Sequence, residues 1–248
     1  MSAVRSAAVA TIGVVHNARS ERNRKGAREV HAALESLPGI VELDFGETTT
    51  LAEIAAELRR REVGLVVVNG GDGTVQGLLT ELLEGPRDVP LPIVAILPRG
   101  MANMTAQDCG LASGKPAALR RLVAVARAGE IERHLVRRRV LRIENAAGVP
   151  PQRGMFFGAA GIFDAIRYCK SAVHTRGLKG EWANLTTLLH LLAGFVRGRT
   201  PPGMLEGEDV TARIDGETRR ARELLLLATT LDRLVVGSRP FWNDAGKP

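Results

Sequence analysis

Three glycines, an aspartate and a threonine form the run of this sequence that is best suited to chemistry, Gly70-Gly71-Asp72-Gly73-Thr74. The apolar residues 65–68 precede it and are typical of a strand buried on both faces, and residues 75–83 follow with helical spacing. Glycine lets the backbone approach an anion closely, and the N–H groups at a helix N-terminus point toward that anion. The pattern therefore predicts a phosphate-binding turn to which all five residues contribute.

Asp72 is the residue of this turn with the most specific chemistry. Its carboxylate would repel a bare phosphate, so it makes physical sense only if Mg²⁺ or a network of hydrogen bonds lies between the two groups. No lysine follows the glycines and the GxGxxG spacing is absent, so the turn is neither a Walker A loop nor a dinucleotide fingerprint. Asp72 is predicted to be catalytic and to act indirectly on the metal. A glycine-rich turn that binds nothing is the alternative.

The run from Gly70 to Thr74 resembles the GGDGT signature of the diacylglycerol kinase catalytic-domain family, which includes bacterial lipid kinases and sphingosine kinases and has NAD kinases as distant relatives. Residues 98–106 resemble the segment that forms the second wall of the nucleotide site in that family. Residues 16–20 resemble its first nucleotide loop. The resemblance implies that Asn17, Gly100 and Asn103 bind ATP together with the GGDGT run.

Four residues depart from the family pattern. Met101 and Met104 stand where the family has a threonine and an aspartate, and methionine cannot form the hydrogen bonds of either. Gln76 and Gly77 stand where the family usually has asparagine and glutamate. These replacements favour, as an alternative, a nucleotide-binding relative without kinase activity.

A lipid kinase also needs a catalytic base that takes the proton from the lipid hydroxyl. In the resembled family an Asp-Gly-Glu motif supplies it, and Asp215-Gly216-Glu217 has that sequence. An Asp-Gly pair is also an ordinary hairpin turn, here between predicted strands at residues 210–214 and 224–230, and this interpretation is preferred. Asp215 is kept as the alternative base. Asp164, in a segment that resembles the family's Gly-Phe-Asp-Ala, is explained equally well as a site residue or as a turn or cap.

Strands that alternate with helices as far as residue 128 predict an α/β fold with a doubly wound parallel sheet. The candidate loops follow the strands at their carboxyl ends, where open α/β sheets bind ligands. A change of pattern at residues 129–130 predicts two domains. Residues 1–129 would bind the nucleotide, and residues 130–248 would form a mainly β lipid-substrate domain with one inserted helix, incomplete at its C-terminus compared with the family. The predicted strands of the first domain are 7–15, 40–45, 65–68 and 92–97, and its first three predicted helices are 25–37, 51–61 and 75–83.

Basic residues dominate the charge of the chain, which is formally +7 over 248 residues and suits anionic partners. Five arginines lie in a strand-like segment at residues 131–144. A solvated edge strand is favoured there over a patch that binds anionic membranes. Nucleic acid is not predicted as a partner, because no nucleic-acid motif is present and aromatic residues make up only 4% of the chain.

The sequence therefore predicts a kinase that transfers the γ-phosphate of ATP to the hydroxyl of a diacylglycerol-like lipid at a membrane surface, with ATP and Mg²⁺ as cofactors. The alternatives are a nucleotide-binding pseudokinase or membrane-associated regulatory protein, and an NAD kinase. The NAD kinase is disfavoured because its Asn-x-Gly-x-Leu-Gly-Phe segment is not found after Leu97. Cys109 and Cys169 lack metal-binding spacing, and residues 1–10 lack an apolar leader, so a cytoplasmic protein is predicted. A peripheral position at the inner membrane face and a homodimer are left open.

Overall fold

The structure, a computed structural model, describes residues 11–20, 23–100, 102–144, 148–160, 207–223, 225–234 and 239. These residues divide into two compact units, the first within residues 1–155 and 230–248 and the second within residues 156–229. The domain division predicted after residue 129 stays a prediction, because the compact units of a chain need not coincide with its folding domains.

A parallel sheet of four strands forms the centre of the first unit: β1 (Ile12–Asn17), β2 (Ile40–Phe45), β3 (Leu65–Gly70) and β4 (Ile93–Pro98). The strand order is β2-β1-β3-β4, and all neighbouring pairs are parallel. All six residues of the central strand β3 are buried, as its run of apolar residues predicts for a strand covered on both faces. The predicted parallel α/β sheet is confirmed.

Five helices belong to the described part of the first unit: α1 (Asn23–Glu35), α2 (Leu51–Arg60), α3 (Asp72–Leu83), α4 (Met104–Cys109) and α5 (Pro116–Arg127). Side chains alternate along a strand, so Val14 and Val15 of β1 point to opposite faces of the sheet. Val14 packs in one apolar cluster with Val30 of α1 and Leu119 of α5. Val15 packs in a second cluster with Leu78 of α3. Among the described residues, no helix is both long enough and apolar enough to cross a membrane.

The ends of the elements around the GGDGT run differ from the predicted ones. Strand β3 continues to Gly70, and α3 begins at Asp72 rather than at Val75. Only Gly71 separates the strand from the helix, so Asp72 lies in the first helical turn. Helix α4 was not predicted, and it places the segment after Asn103 in a helix instead of a loop.

The long strand predicted at residues 131–144 is wrong. A short 3-10 turn occupies Ile131–His134, an extended segment follows, and only Leu141–Ile143 form a strand, β5. Strand β5 pairs in an antiparallel manner with β6 (Gln152–Gly154). Two of the five arginines of this segment instead bind carboxylates that are distant in the sequence.

Arg138 and Arg142 form these ion pairs. The Arg138 guanidinium lies 2.8 Å from Asp108 and 3.0 Å from Asp232, and the Asp108 side chain is only 2% exposed. Arg142 lies 2.9 Å from Glu84, at the end of α3. These two arginines therefore hold the extended segment against the first unit and are not part of a freely solvated face.

The described part of the second unit consists of antiparallel strands, as predicted for a mainly β region. Strand β7 (Phe156–Ala160) pairs with β10 (Leu225–Thr229), and β8 (Glu208–Ile214) pairs with β9 (Glu217–Glu223). The predicted pairing of residues 210–214 with residues 224–230 is wrong. A two-residue turn fixes the register so that Ile214 faces Glu217, and the strand that returns is therefore the polar segment directly after the turn.

Several predictions fall on residues outside the described part of the chain. They concern the inserted helix at residues 178–196, the segment around Asp164, Cys169 and the departure at Met101. These stay predictions.

The Arg138→Ala substitution is expected to lower the free energy of unfolding by about 3 kcal/mol, because it leaves the buried Asp108 carboxylate without its cation. Urea denaturation followed by circular dichroism measures the change. Arg137→Ala and Arg139→Ala are matched controls, because both side chains are exposed, and each is expected to change stability by less than about 0.5 kcal/mol. Equal losses in all three variants would contradict the structural role of Arg138.

Candidate functional site

The carboxyl end of β3 leads directly into the first turn of α3, and this turn has the geometry of an anion-binding site. Gly71 caps α3 in an extended conformation, and its carbonyl oxygen accepts hydrogen bonds from the N–H groups of Thr74 and Val75, at 3.0 and 3.1 Å. The N–H groups of Asp72 and Gly73 belong to the first turn of the helix, where no intrahelical acceptor exists. The first turn of this 12-residue helix can therefore donate hydrogen bonds to a bound anion.

Two glycines bring the loops after β3 and β4 into direct backbone contact. A Cβ atom on Gly100 would lie 2.5 Å from the Cα atom of Gly71, and a Cβ atom on Gly71 would lie 2.9 Å from the Cα atom of Gly100. Real Cβ atoms do not come so close to backbone, so neither position accepts a side chain without a shift of the loops. The space around Gly73 is different, because no described atom outside its own stretch of helix lies within 4 Å of a Cβ atom placed there.

Asp72 connects the same two loops through its carboxylate. Its Oδ2 accepts a hydrogen bond from the N–H of Met104 at 3.1 Å, and its Oδ1 accepts one from the N–H of Thr105 at 2.9 Å. These are the first N–H groups of α4, so Asp72 stabilises the N-terminus of a neighbouring helix. The sequence indicated a role toward phosphate and metal only. The structure adds this second role.

The Asp72 carboxylate also fits the Mg²⁺ ion that the family implies. Each carboxylate oxygen retains acceptor capacity beyond the one hydrogen bond it accepts from α4. Mg²⁺ in phosphoryl-transfer sites is commonly held by one or two carboxylates, substrate phosphates and water, so a single carboxylate on the turn is sufficient as the protein's ligand.

Asn103 uses its side chain within the protein. It is buried, adopts the left-handed conformation with φ of 51°, and occupies the N-cap position of α4 without a capping hydrogen bond from its side chain. Its Oδ1 accepts a hydrogen bond from the N–H of Gly100 at 2.6 Å, and its Nδ2 donates to the carbonyl oxygen of Gly100 at 2.8 Å. Asn103 therefore shapes the loop that contacts Gly71. Direct contact between its side chain and a nucleotide stays a prediction.

Asn17 links the loop after β1 to the GGDGT run. Its Nδ2 donates a hydrogen bond to Thr74 Oγ1 at 2.7 Å, and its Oδ1 accepts one from the N–H of Arg19 at 2.9 Å. Thr74 is buried, so this hydrogen bond orders a side chain at the base of the turn. Asn17, the GGDGT run and the loop of Gly100 and Asn103 thus meet at one edge of the sheet, as the sequence predicts.

Asp215, the alternative base, lies in the second compact unit and is exposed. Asp215 and Gly216 both have positive φ, 50° and 87°, which is typical of the type I′ turn of a two-residue hairpin. The turn interpretation of this Asp-Gly pair is confirmed. A catalytic role for Asp215 stays a prediction.

The departures at Gln76 and Gly77 have packing explanations. Gln76 Nε2 donates a hydrogen bond to Gln152 Oε1 of β6 at 2.9 Å. A Cβ atom on Gly77 would lie 2.5 Å from Leu51 Cδ1, so glycine at this position lets α2 pack closely on α3. Both residues therefore serve contacts between elements of the first unit.

Sequence reasoning missed the backbone partners of Asp72 because it missed α4. A signal for this helix was present in an asparagine and a glycine at its two ends, Asn103 and Gly110. Burial raises the pKa of the thiol of Cys109, at the end of the same helix, to about 11, so this thiol is protonated at neutral pH.

Sequence reasoning also missed His16, which lies next to Asn17 with its side chain on the other face of the sheet. Asn69 Nδ2 lies 2.7 Å from His16 Nδ1. Burial, followed by the nearby His31, lowers the pKa of His16 to about 4, so this ring is neutral at neutral pH.

Two solved structures resemble the fold of this chain. A crystal structure of a diacylglycerol kinase from Bacillus anthracis str. Sterne is 16% identical, with a TM-score of 0.52 over 90% of this chain and 65% of that one. A second structure from the same organism, provisionally assigned as a diacylglycerol kinase, is 17% identical, with a TM-score of 0.54 over 90% of this chain and 67% of that one. At this level of identity the likeness shows the fold.

The chain thus spans about two thirds of the length of these structures. Nothing matches the chain among curated proteins. The family model of the diacylglycerol kinase catalytic domain matches residues 11–133, which include Asn17, the GGDGT run and the loop of Gly100 and Asn103. Residues 11–133 belong to the diacylglycerol kinase catalytic domain family.

Proposed function

We propose that this protein is a lipid kinase that transfers the γ-phosphate of ATP to the hydroxyl of a diacylglycerol-like lipid. The observation that supports this most directly is the contact of Gly71 with Gly100, which joins two loops of the family domain beside the N-terminus of α3. Phosphoryl transfer requires mainly positioned phosphates and neutralised charge, and glycine loops with a metal ion supply both.

In this proposal the N–H groups of Asp72 and Gly73 bind phosphate oxygens at the start of α3. Asn17 orients Thr74 through their hydrogen bond of 2.7 Å. The Asp72 carboxylate would hold Mg²⁺, and the ion would supply charge neutralisation at the phosphates. The lipid hydroxyl needs a base, and Asp215 of the Asp-Gly-Glu sequence is the candidate for it.

The lipid substrate places the working protein at a membrane surface, so we further propose a peripheral association with the inner face of the cytoplasmic membrane. The formal charge of +7 supports attraction to anionic lipids. The homodimer left open by the sequence stays a prediction.

A second candidate function is that of an ATP-binding relative without transfer. The observation that favours it is methionine at position 104, where the resembled family has an aspartate whose hydrogen bonds methionine cannot form. Such a protein would bind ATP–Mg²⁺ and phosphorylate nothing.

The experiment that tests the proposal is transfer of labelled γ-phosphate from ATP–Mg²⁺ to diacylglycerol, a sphingoid base or phosphatidylglycerol in vesicles, and to NAD in solution. Label in a lipid is the expected result and identifies the acceptor. Label in NAD would replace the proposal with an NAD kinase. ATP binding without label in any acceptor would support the second candidate.

The Gly73→Ala substitution separates ligand binding from folding. The methyl group meets no described atom outside its own stretch of helix, so the free energy of unfolding is expected to stay the same or to rise slightly, since alanine favours a helix over glycine by about 1 kcal/mol. The same methyl group occupies the space proposed for a phosphate, so ATP affinity should fall at least about tenfold, or about 1.4 kcal/mol. Isothermal titration with ATP–Mg²⁺ and thermal unfolding measure the two effects.

Gly100→Ala is the matched variant, in which stability and ATP binding are expected to be lost together. Its methyl group would lie 2.5 Å from the Gly71 Cα atom, so a loss of about 1–3 kcal/mol in stability should accompany the loss of ATP binding. Unchanged ATP affinity in Gly73→Ala would show that no phosphate lies against the start of α3.

The Asp72→Asn substitution is expected to reduce phosphate transfer by about a hundredfold or more, because the metal loses its carboxylate. It also replaces one of two acceptors by a donor that faces the N–H groups of α4, which should cost about 1–3 kcal/mol of stability. Initial rates are compared at a temperature where both proteins are fully folded. Asp88→Asn, at an exposed position, is the control, and wild-type rates in Asp72→Asn would refute the assigned role.

A further inference from the structure

Two histidines and a glutamate from three different elements meet on the face of the sheet that α1 covers. His16 lies on β1, His31 on α1 and Glu42 on β2, and one donor atom from each lies within 4.8 Å of the other two. Glu42 Oε2 lies 3.3 Å from His31 Nδ1 and 3.9 Å from His16 Nε2. This is the one such cluster of three or more histidine, cysteine or acidic side chains within the described part of the chain.

The Nε2 atom of His16 is the second observation that points to a ligand. The His16 side chain is 3% exposed, and no hydrogen-bond partner reaches Nε2 from the described residues. Buried polar atoms nearly always have a partner, because leaving one unsatisfied is costly. This atom is directed toward the Glu42 carboxylate at a distance too long for a hydrogen bond.

We propose that His16, His31 and Glu42 bind a divalent transition-metal ion of the Zn²⁺ class, with water as the fourth ligand. Imidazole nitrogen and carboxylate oxygen are the donors that Zn²⁺ takes in three-ligand sites. Zn²⁺ bonds of about 2.0–2.1 Å place neighbouring tetrahedral ligands about 3.4 Å apart. The two separations from Glu42 Oε2, 3.3 and 3.9 Å, are close to that spacing.

Metal binding by both histidines requires a movement of His31, because the ring nitrogens of His16 and His31 do not point toward a common position. The two imidazole rings are stacked, with centroids 4.6 Å apart and an angle of 20° between their planes. The lone pair of a ring nitrogen lies in the ring plane, so the lone pairs of stacked rings do not converge on one point. The His31 side chain is 44% exposed and has room to turn, whereas the buried His16 ring stays in place.

Asn69 can support the metal-bound form of His16. A metal on Nε2 leaves the ring proton on Nδ1, and metal-binding histidines normally donate that proton to an oxygen atom. The side-chain amide of Asn69 lies 2.7 Å from Nδ1. The oxygen and nitrogen of an amide are nearly the same in shape, so the amide can present its oxygen after a rotation.

Acidic side chains make the cluster suitable for a cation. Glu42 belongs to it, and Asp44 faces His16 across β1 and β2 in the sheet register. A bound dication would join α1 to β1 and β2 directly before Asn17. This site is independent of the proposed kinase activity.

The experiment uses the full chain without an affinity tag, stripped of metal with a chelator. Titration with ZnCl₂ is expected to show one strongly bound ion per chain and a rise of several degrees in the melting temperature. His31→Gln and Glu42→Gln, both at partly exposed positions, should each weaken Zn²⁺ binding by at least about tenfold. Co²⁺ in place of Zn²⁺ should give the strong visible absorption of a four-coordinate site, and this band should disappear in both variants.

His134→Gln is the matched control, because His134 is exposed on the 3-10 turn and belongs to none of the cluster's three elements, and it should bind Zn²⁺ like the wild type. Two results would overturn the proposal. One is the absence of stoichiometric Zn²⁺ binding by the wild type. The other is unchanged Zn²⁺ affinity in His31→Gln and Glu42→Gln, which would place the bound ion elsewhere and leave the cluster as a stacked histidine pair beside a carboxylate.

Discussion

The backbone contact between Gly71 and Gly100 is the constraint on which the rest of the site depends. The loops that follow the neighbouring parallel strands β3 and β4 are in contact through the backbone atoms of these two glycines, and no side chain fits between them. Because the loops touch, the Asp72 carboxylate reaches the first N–H groups of α4. The N-termini of α3 and α4 are therefore held in one place by contacts that are independent of any ligand, and a site built in this way is preorganised.

The two asparagine side chains at the site form hydrogen bonds within the protein. Asn103 uses both ends of its amide on the backbone of Gly100, and Asn17 uses its amide on Thr74 and the backbone of Arg19. Sequence patterns suggest that such asparagines face the nucleotide. The structure shows that they determine loop shape, and backbone N–H groups at the start of α3 can donate to a phosphate. Substitutions here will therefore affect stability and binding together, except at Gly73.

The predictable parts of the fold are those encoded by neighbouring residues. The buried strand, the glycine turn and the following helix lie within one short stretch, and the Asp215-Gly216 turn is a local pair. The parts that could not be predicted depend on residues far apart in the chain. Arg138 meets Asp108 and Asp232 only after folding, so its segment resembled a charged strand. The cluster of two histidines and a glutamate forms no recognisable sequence motif, because each member comes from a different element.

Amide hydrogen exchange with and without ATP–Mg²⁺, read at single residues, tests most directly whether the start of α3 is the phosphate site. The account predicts slower exchange at the N–H groups of Asp72 and Gly73 when ATP is bound, since both would donate to phosphate oxygens, and no change in the β8–β9 hairpin. Unchanged exchange at Asp72 and Gly73 under saturating ATP would contradict the account, because the nucleotide would then bind without the helix terminus that the two glycine loops position.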